Sequence, residues 1–387
     1  ITQTYSNISN FTLLAVPFFI LLGRLLNEGL LTEKMVAFAD TVVGHIRGAL
    51  GHINILVSMM FASLSGSSQA DTASIGSVMI PAMIKAGYNP GYSVAITAAS
   101  SIMGGVIPPS ILMVIYGSFG QVSIGALFLA GIVPGVLIGL SQMLYTYRLA
   151  VKEGYGANPR QSFTAMGKAG LATSPALLIP ILILGGISGG FFSATEAASI
   201  GAIYALFLGV IGYRNIKLRK LPRLLGEAVI DFSIPLFAIA SAGIFGWLIA
   251  YLKAPQIIEG FILGFTDNYY IIFSLIMLFL LMIGTFMSGL TAMIIFLPVI
   301  QHLGDVGGVD PVLLGLSVNL ALGCGLLTPP YGICILIAAQ IGNVPSNQAF
   351  LAVLPLVGFI ILLMLVGMVF PDLYLFLPKL FMPEVFQ

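Results

Sequence analysis

Twice along this chain, two apolar runs too short to cross a bilayer flank a knot of polar residues, and a longer apolar segment broken at two consecutive prolines follows. In the first pair, His52 to Leu64 and Thr72 to Ile84 surround Ser65-Gly66-Ser67-Ser68-Gln69-Ala70-Asp71, and the first run is apolar except for Asn54 and Ser58. As helices such runs reach about 20 Å, part-way through a hydrocarbon core of about 30 Å. The second pair, 269 to 283 and 290 to 302, flanks Gly284-Thr285-Phe286-Met287-Ser288-Gly289. The broken segments carry Gly104-Gly105-Val106-Ile107-Pro108-Pro109-Ser110 and Gly323-Cys324-Gly325-Leu326-Leu327-Thr328-Pro329-Pro330. These patterns predict two re-entrant helical hairpins with tips near mid-membrane and two helices interrupted at the membrane centre.

Composition settles the solvent. With 58% hydrophobic residues, 7% charged residues and a mean hydropathy of +1.07 over 387 residues, two soluble domains are excluded and a multi-pass α-helical membrane protein is expected. The 45 glycines exceed average usage, as close helix packing and deliberate helix breaks require. Cys324 and Cys334 lie in apolar segments and form neither a disulfide framework nor a metal spacing. No nucleic-acid partner is expected. Sequons at Asn7 and Asn10 are short enough to arise by chance, and a start at Ile without a leader reads as the later part of a longer polypeptide.

Full spans are expected at 11–28, 122–147, 170–189, 193–212, 233–252 and about 347–370. Residues 32–46 place Met35, Phe38, Ala39, Val42, Val43 and Ile46 on one face and Glu33, Lys34, Asp40 and Thr41 on the other, which predicts an interfacial helix. Two more interfacial stretches are expected, at 214–231 and 253–267. Ser193 and Glu196 form a capping box at the head of one span.

The second half repeats the first. Leu26 to Leu252 and Glu33 to Glu259 are offset by 226, Ser65-Gly66 to Ser288-Gly289 by 223, and the double prolines by 221. Five crossings separate equivalent points, so the copies are inverted in the membrane. Charge supports that count, because one orientation puts thirteen basic residues on one side, nine of them between Arg148 and Arg223, and leaves Lys253 and Lys379 on the other. The basic side is read as cytoplasmic, so the first hairpin opens from the cytoplasm and the second from outside.

Inverted repeats with paired discontinuous helices mark secondary transporters whose site lies near the midplane. Backbone groups freed at a break need partners in a medium without water. Carbonyls around Gly104, Gly105, Val106 and Pro108, with Ser65 from the facing tip, offer an oxygen cage for a hard cation. Gly325, Thr328 and Pro329 facing Thr285, Met287 and Ser288 offer a second. Neither set holds a cluster of carboxylates, which favours a monovalent ion, and sodium, in two or more copies, is the expected coupling ion. Half-helices starting near Ser68 and Ser110 aim amides at the midplane, where an anionic substrate could be held without a buried cation. Ser65, Ser67, Ser68, Ser110 and Thr328 are candidate substrate contacts, and Asp71 is a possible ion or substrate contact. The competing reading of Ser65, Ser67, Ser68, Ser110 and Thr328 is ordinary capping, and Ser68-x-x-Asp71 itself reads as a capping box.

At these residues a resemblance becomes specific. Gly-His-Ile-Arg-Gly (44–48), Gly-His-Ile-Asn (51–54), Phe61-Ala-Ser-Leu-Ser-Gly-Ser, Ile80-Pro-Ala-Met, Thr97-Ala-Ala-Ser-Ser, Ile107-Pro-Pro-Ser-Ile, Leu327-Thr-Pro-Pro-Tyr-Gly and Ile341-Gly-Asn-Val together resemble the large membrane (M) subunit of tripartite ATP-independent periplasmic transporters. The likeness covers essentially the whole chain. It implies an elevator-type fold of the ion-transporter superfamily in the bacterial inner membrane, sodium-driven import of an organic acid such as sialic acid, another sugar acid or a C4-dicarboxylate, and two protein partners. The partners are a periplasmic substrate-binding protein (P type) and a small four-helix membrane subunit (Q type), and the substrate is an anionic small molecule. The family has one more helix before the segment matching Phe11. The tip Ser67-Ser68-Gln69-Ala70 is more polar than the family's usual tip, so no specific cargo is carried over.

On this reading 1–50 is a scaffold helix with its interfacial arm, 51–121 the first transport half, 122–267 scaffold helices and a second arm, 268–345 the second transport half, and 346–387 a final scaffold helix and tail. The rival transporter reading is a sodium/dicarboxylate carrier of the divalent-anion family, which needs no binding protein. An intramembrane protease would use Ser65 or Ser288 with His52 or His302, yet neither serine lies in Gly-x-Ser-Gly. A channel fits two closed hairpin gates less well than alternating access does.

Overall fold

The computed structural model describes residues 9, 11–28, 31–264 and 266–386, and the sequons at Asn7 and Asn10 lie outside them. No strand occurs among the described residues. A 3-10 turn at Phe11–Leu14 leads into α1 (Ala15–Asn27), and α2 (Leu31–Val43) is the arm helix that follows. The first hairpin is α3 (Ala49–Ser65) and α4 (Ser68–Lys85). The first broken helix is α5 (Pro90–Ser101), a 3-10 turn at Ile102–Gly105, and α6 (Ile111–Gly120). The long span α7 (Ile124–Glu153) follows, then α8 (Phe163–Ser188) and α9 (Ala194–Phe207), which ends in a π turn at Leu208–Gly212.

The same order then returns. α10 (Leu221–Tyr251) and α11 (Ala254–Leu263) match the first span and arm, and α12 (Tyr269–Gly284) with α13 (Gly289–Val306) is the second hairpin. α14 (Pro311–Gly325) and α15 (Ile333–Gly342) are the second broken helix, and α16 (Ser346–Val369) is the closing span. Both broken helices start the same way. Asn89 before Pro90 accepts a hydrogen bond from the Tyr92 amide at 3.2 Å, and Asp310 before Pro311 accepts from the Val312 and Leu313 amides at 2.9 and 3.1 Å. A side-chain acceptor followed by a proline that needs no amide partner is an efficient helix start.

Beyond those caps, α5 from Gly91 to Ser101 and α14 from Val312 to Gly325 are buried along their whole length, which makes these two half-helices the core of the molecule. The outer halves interlock: α15 packs on α4 and α5, while α6 packs on α13 and α14. Each copy's hairpin is therefore covered by the other copy's broken helix. Among the described residues six helices are long and apolar enough to cross a membrane, seven if Phe11–Asn27 and Leu31–Val43 count as one bent span.

Three boundaries differ from expectation. Residues 214–231 do not form a separate interfacial segment, because α10 runs unbroken from Leu221 through Glu227 and Asp231 into the span. Its carboxylates have a partner on the first span, where Arg24 bonds both Glu227 (2.7 Å) and Asp231 (2.5 Å, from Nε), while Arg223 bonds Glu227 at 2.7 Å within α10 itself. Secondly, the hairpin helices extend into the polar knot, leaving only Gly66 and Ser67 outside helix. Finally, the tail after the last span contains α17 (Pro371–Phe381), whose Tyr374 hydroxyl donates to the Leu363 carbonyl at 2.8 Å. The capping box at Ser193 and Glu196 is present as expected.

Candidate functional site

The tip of the first hairpin is folded against the first break, and nearly every group there is buried. Gly66 turns the chain with φ +64°, its carbonyl accepts from the Ile111 amide at 3.3 Å, and a Cβ at this position would lie 2.7 Å from the Pro109 carbonyl oxygen. Ser67 is the N-cap of α4 and accepts from the Ala70 amide at 3.4 Å, so the cap falls one residue before the box expected at Ser68. Ser68 Oγ donates to the Ile102 carbonyl at 3.4 Å. Ser65 Oγ donates to Asp71 Oδ1 and accepts from the Ser67 amide at 3.2 Å.

Asp71 is completely buried, and its Oδ2 has no hydrogen-bond partner. Gly104 explains how the carboxylate fits: a Cβ there would lie 2.5 Å from Asp71 Oδ2 and 3.0 Å from the Ser67 carbonyl carbon and the Ser68 amide nitrogen. Gly105 is beside it, with Ser68 Oγ 3.4 Å from its missing Cβ and its carbonyl accepting from Ser110 Oγ at 2.8 Å. Ser110 also caps α6 by accepting from the Met113 amide at 3.3 Å. Its hydroxyl therefore closes the break and retains one lone pair. Pro108 is buried in this turn, and the Pro108–Pro109 peptide is cis. The Val106 carbonyl is directed at α7, since a Cβ on Gly131 would lie 2.1 Å from it.

The second junction is built on the same plan. The Tyr331 amide donates to the Thr285 carbonyl at 2.9 Å, tying the second break to the second tip as Ile111 ties the first. Gly325 faces Gly284 so closely that a Cβ on Gly325 would lie 2.2 Å from the Gly284 carbonyl oxygen. Ser288 caps α13, accepting from the Thr291 amide at 3.3 Å with its Oγ 2.8 Å from Thr291 Oγ1. The Met287 amide bonds Ile283 at 3.2 Å, and Thr328 Oγ1 donates to the Cys324 carbonyl at 3.0 Å. Pro329 is joined to Pro330 by a second cis bond.

Exposure separates the two junctions. Ser65, Ser68, Asp71, Gly104, Gly105 and Ser110 are buried, whereas Thr285, Met287, Ser288 and Thr328 are half-buried, Pro329 and Pro330 are exposed, and Phe286 is 66% exposed. They are linked through the first hairpin, since α15, which follows the second break, packs on α4. Among the described residues no three His, Cys, Asp or Glu side chains converge on a metal position.

Sequence reading missed a buried polar ladder behind the tip. Asn54 Nδ2 donates to Thr97 Oγ1 at 2.6 Å and Ser58 Oγ pairs with Ser100 Oγ at 2.8 Å, joining α3 to α5. Its signal was available in the four-residue spacing of Asn54 and Ser58 inside an apolar run, a spacing that puts both on one helix face.

The sequence model of the family described as "Tripartite ATP-independent periplasmic transporter, DctM component" matches residues 1–373. The sialic acid TRAP transporter large permease protein SiaM of Vibrio cholerae is 38% identical over 380 residues, covering 98% of this chain and 89% of that protein. The C4-dicarboxylate TRAP transporter large permease protein DctM of Pseudomonas aeruginosa is 32% identical, covering 97% and 88%. Among solved structures, Neisseria gonorrhoeae MtrF, described with a class of antimetabolite efflux pumps, superposes with a TM-score of 0.65 at 14% identity, covering 95% of this chain and 83% of that one. That last likeness speaks for the fold alone.

Proposed function

The chain belongs to the DctM-component family of tripartite ATP-independent periplasmic transporters, and from that premise we propose that it carries an organic acid across the inner membrane, coupled to sodium, by an elevator movement of its two hairpin-on-break junctions. It is a membrane transporter and not an enzyme. The observation that carries the sodium reading is Asp71 Oδ2, a buried carboxylate oxygen without a partner between the first tip and the first break. An ionised carboxylate out of water needs a cation or a donor, and sodium supplies the charge without a dedicated basic side chain. Ser65, the Gly104 and Gly105 carbonyls and the remaining lone pair of Ser110 are the neutral oxygens within the same junction. The half-exposed second junction, with Thr285, Ser288 and Thr328, is the more accessible counterpart.

Substrate is delivered on this reading by a periplasmic binding protein, and a small four-helix subunit braces the scaffold helices. α10 is the surface best suited to that brace or to lipid, since Ile230, Ile234, Phe237, Ile244, Phe245 and Leu248 are all exposed along it. Sialic acid, other sugar acids and C4-dicarboxylates are the cargo class, as the relatives' names suggest. Replacing sodium with potassium in proteoliposomes holding the partner subunit and binding protein is expected to abolish uptake, and full uptake in potassium would reject the coupling ion. Ser65→Ala and Ser110→Ala are each expected to slow sodium-driven uptake about tenfold or more while the protein stays folded, the lost Ser110 cap costing about 1 kcal/mol. Wild-type rates in both variants would remove these hydroxyls from the site.

A further inference from the structure

The inverted repeat makes α2 and α11 equivalent arms, yet they are held in place differently. α2 packs on both α3 and α8. The loop after α7 then fastens its end: the Gly44 carbonyl accepts from the Asn158 amide at 2.8 Å, and Asp40 Oδ1 accepts from Asn158 Nδ2 at 2.6 Å. α11 packs on α13 and on the span before it, α10. On its far side Ile257 and Phe261 are 67% and 68% exposed. Its side-chain bond to the hairpin is made by Glu259, whose Oε2 lies 2.7 Å from Nε2 of His302. Glu33, the residue of α2 that the 226-residue offset pairs with Glu259, is exposed and makes no ion pair among the described residues.

Position and chemistry both make this pair adjustable. His302 stands one turn from the end of α13 at Val306, and its side chain and that of Glu259 are 30% and 29% exposed. On the charge asymmetry of the chain that end faces outward. Only Leu252 and Lys253 separate α10 from α11, and Lys253 has φ +53°, a conformation uncommon outside glycine. Residues at the ends of elements are where hinge movements are absorbed. Imidazole is the side chain that ordinarily changes charge between about pH 5 and 8. Neutral, it shares one hydrogen bond with the carboxylate; protonated, it adds the attraction of opposite charges to the same contact. The other titratable groups at this end of the elements around α13 are Tyr116 of α6, Tyr251 of α10, Lys253, Tyr269 of α12, Asp310 ahead of α14 and Asp305 on α13 itself. None of them hydrogen-bonds the imidazole among the described residues, and phenol, ammonium and carboxyl groups ordinarily titrate outside that range.

We propose that Glu259 and His302 are a positioning pair that holds the outer arm to the second hairpin, with a grip that tightens as the outside turns acid. Its bearing on transport rests on the proposed elevator movement, in which arm and hairpin then travel as one body about Lys253.

The test is the distance distribution between spin labels at Ile257→Cys on α11 and Leu278→Cys on α12, both exposed positions, measured by double electron–electron resonance in nanodiscs. Cys324 and Cys334 are buried away from the label. The distribution is expected to narrow from about pH 8 to about pH 6, to stay broad at both in Glu259→Gln and in His302→Gln, and to be narrow at both in His302→Lys, whose charge is fixed. A distribution that ignores pH, or that narrows equally in Glu259→Gln, would overturn the proposal. In proteoliposomes with the partner subunit and binding protein, sialic acid uptake is expected to slow about two- to fivefold in Glu259→Gln, the worth of a half-exposed ion pair. His302→Lys is expected to respond less to outside pH than the wild type, the cargo's carboxylate staying ionised throughout. Wild-type uptake in Glu259→Gln would also reject the pair. The two readings fail separately: uptake with a distribution blind to pH rejects the pair alone, whereas a pH-dependent distribution without uptake under any condition upholds the pair and rejects the transport reading.

Discussion

Alanine at position 325 is expected to cut uptake at least about fivefold. Its Cβ would sit 2.2 Å from the Gly284 carbonyl oxygen and 2.4 Å from the Gly284 carbonyl carbon, both backbone atoms of the second hairpin. A side chain could rotate away from such a contact, but a hairpin tip has to retreat as a body. Retreat pulls on the bond from the Tyr331 amide to the Thr285 carbonyl, which holds the tip to the break. Overpacking of this kind costs about 1–3 kcal/mol, and placed on the closed junction alone that is about a five- to 150-fold change in its population. Proteoliposome uptake and thermal melting would be measured beside Gly185→Ala, a helical position with nothing within 4 Å of the added methyl. Uptake equal to wild type at position 325 would show that the tip need not meet the break.

Asn at position 71 is expected to remove sodium dependence while preserving the fold. The amide keeps the size of the carboxylate and can still face Ser65, so packing around Gly104 is retained. What changes is charge, and with it the reason for a cation to sit there. Sodium bound only by the folded protein stabilises it by about 2.7 kcal/mol at a hundred times its dissociation constant. The wild type is therefore expected to melt at higher temperature as sodium replaces potassium, and the Asp71→Asn protein to show no such rise and at least a tenfold loss of uptake. An unchanged sodium-induced rise in the variant would move the ion away from Asp71.

The hairpins and double-proline breaks were legible because serines, an aspartate and paired prolines in the middle of apolar runs have few explanations in a medium without water. The caps were less so. Ser65, Ser67 and Ser68 are chemically alike, and spacing alone favours Ser68 because Asp71 stands three residues on. Tertiary structure decides for Ser67, since Asp71 takes the Ser65 hydroxyl and the Ile102 carbonyl takes that of Ser68. Glu227 and Asp231 misled in the opposite direction: they look solvent-seeking in sequence, and their partner Arg24 is more than 200 residues away. Val106 shows a third limit. A break frees carbonyls, but only packing determines which face an ion and which, like this one, meet a neighbouring helix.

The crossed packing of α15 on the first hairpin and α6 on the second also bears on how the chain melts. Each hairpin is covered by the other copy's broken helix as well as by its own, so separating the halves strips apolar surface from both hairpins at once. The two copies should therefore lose structure in a single cooperative step, and a chain cut between Tyr213 and Leu221 should give fragments that are each unstable alone yet reassemble when produced together.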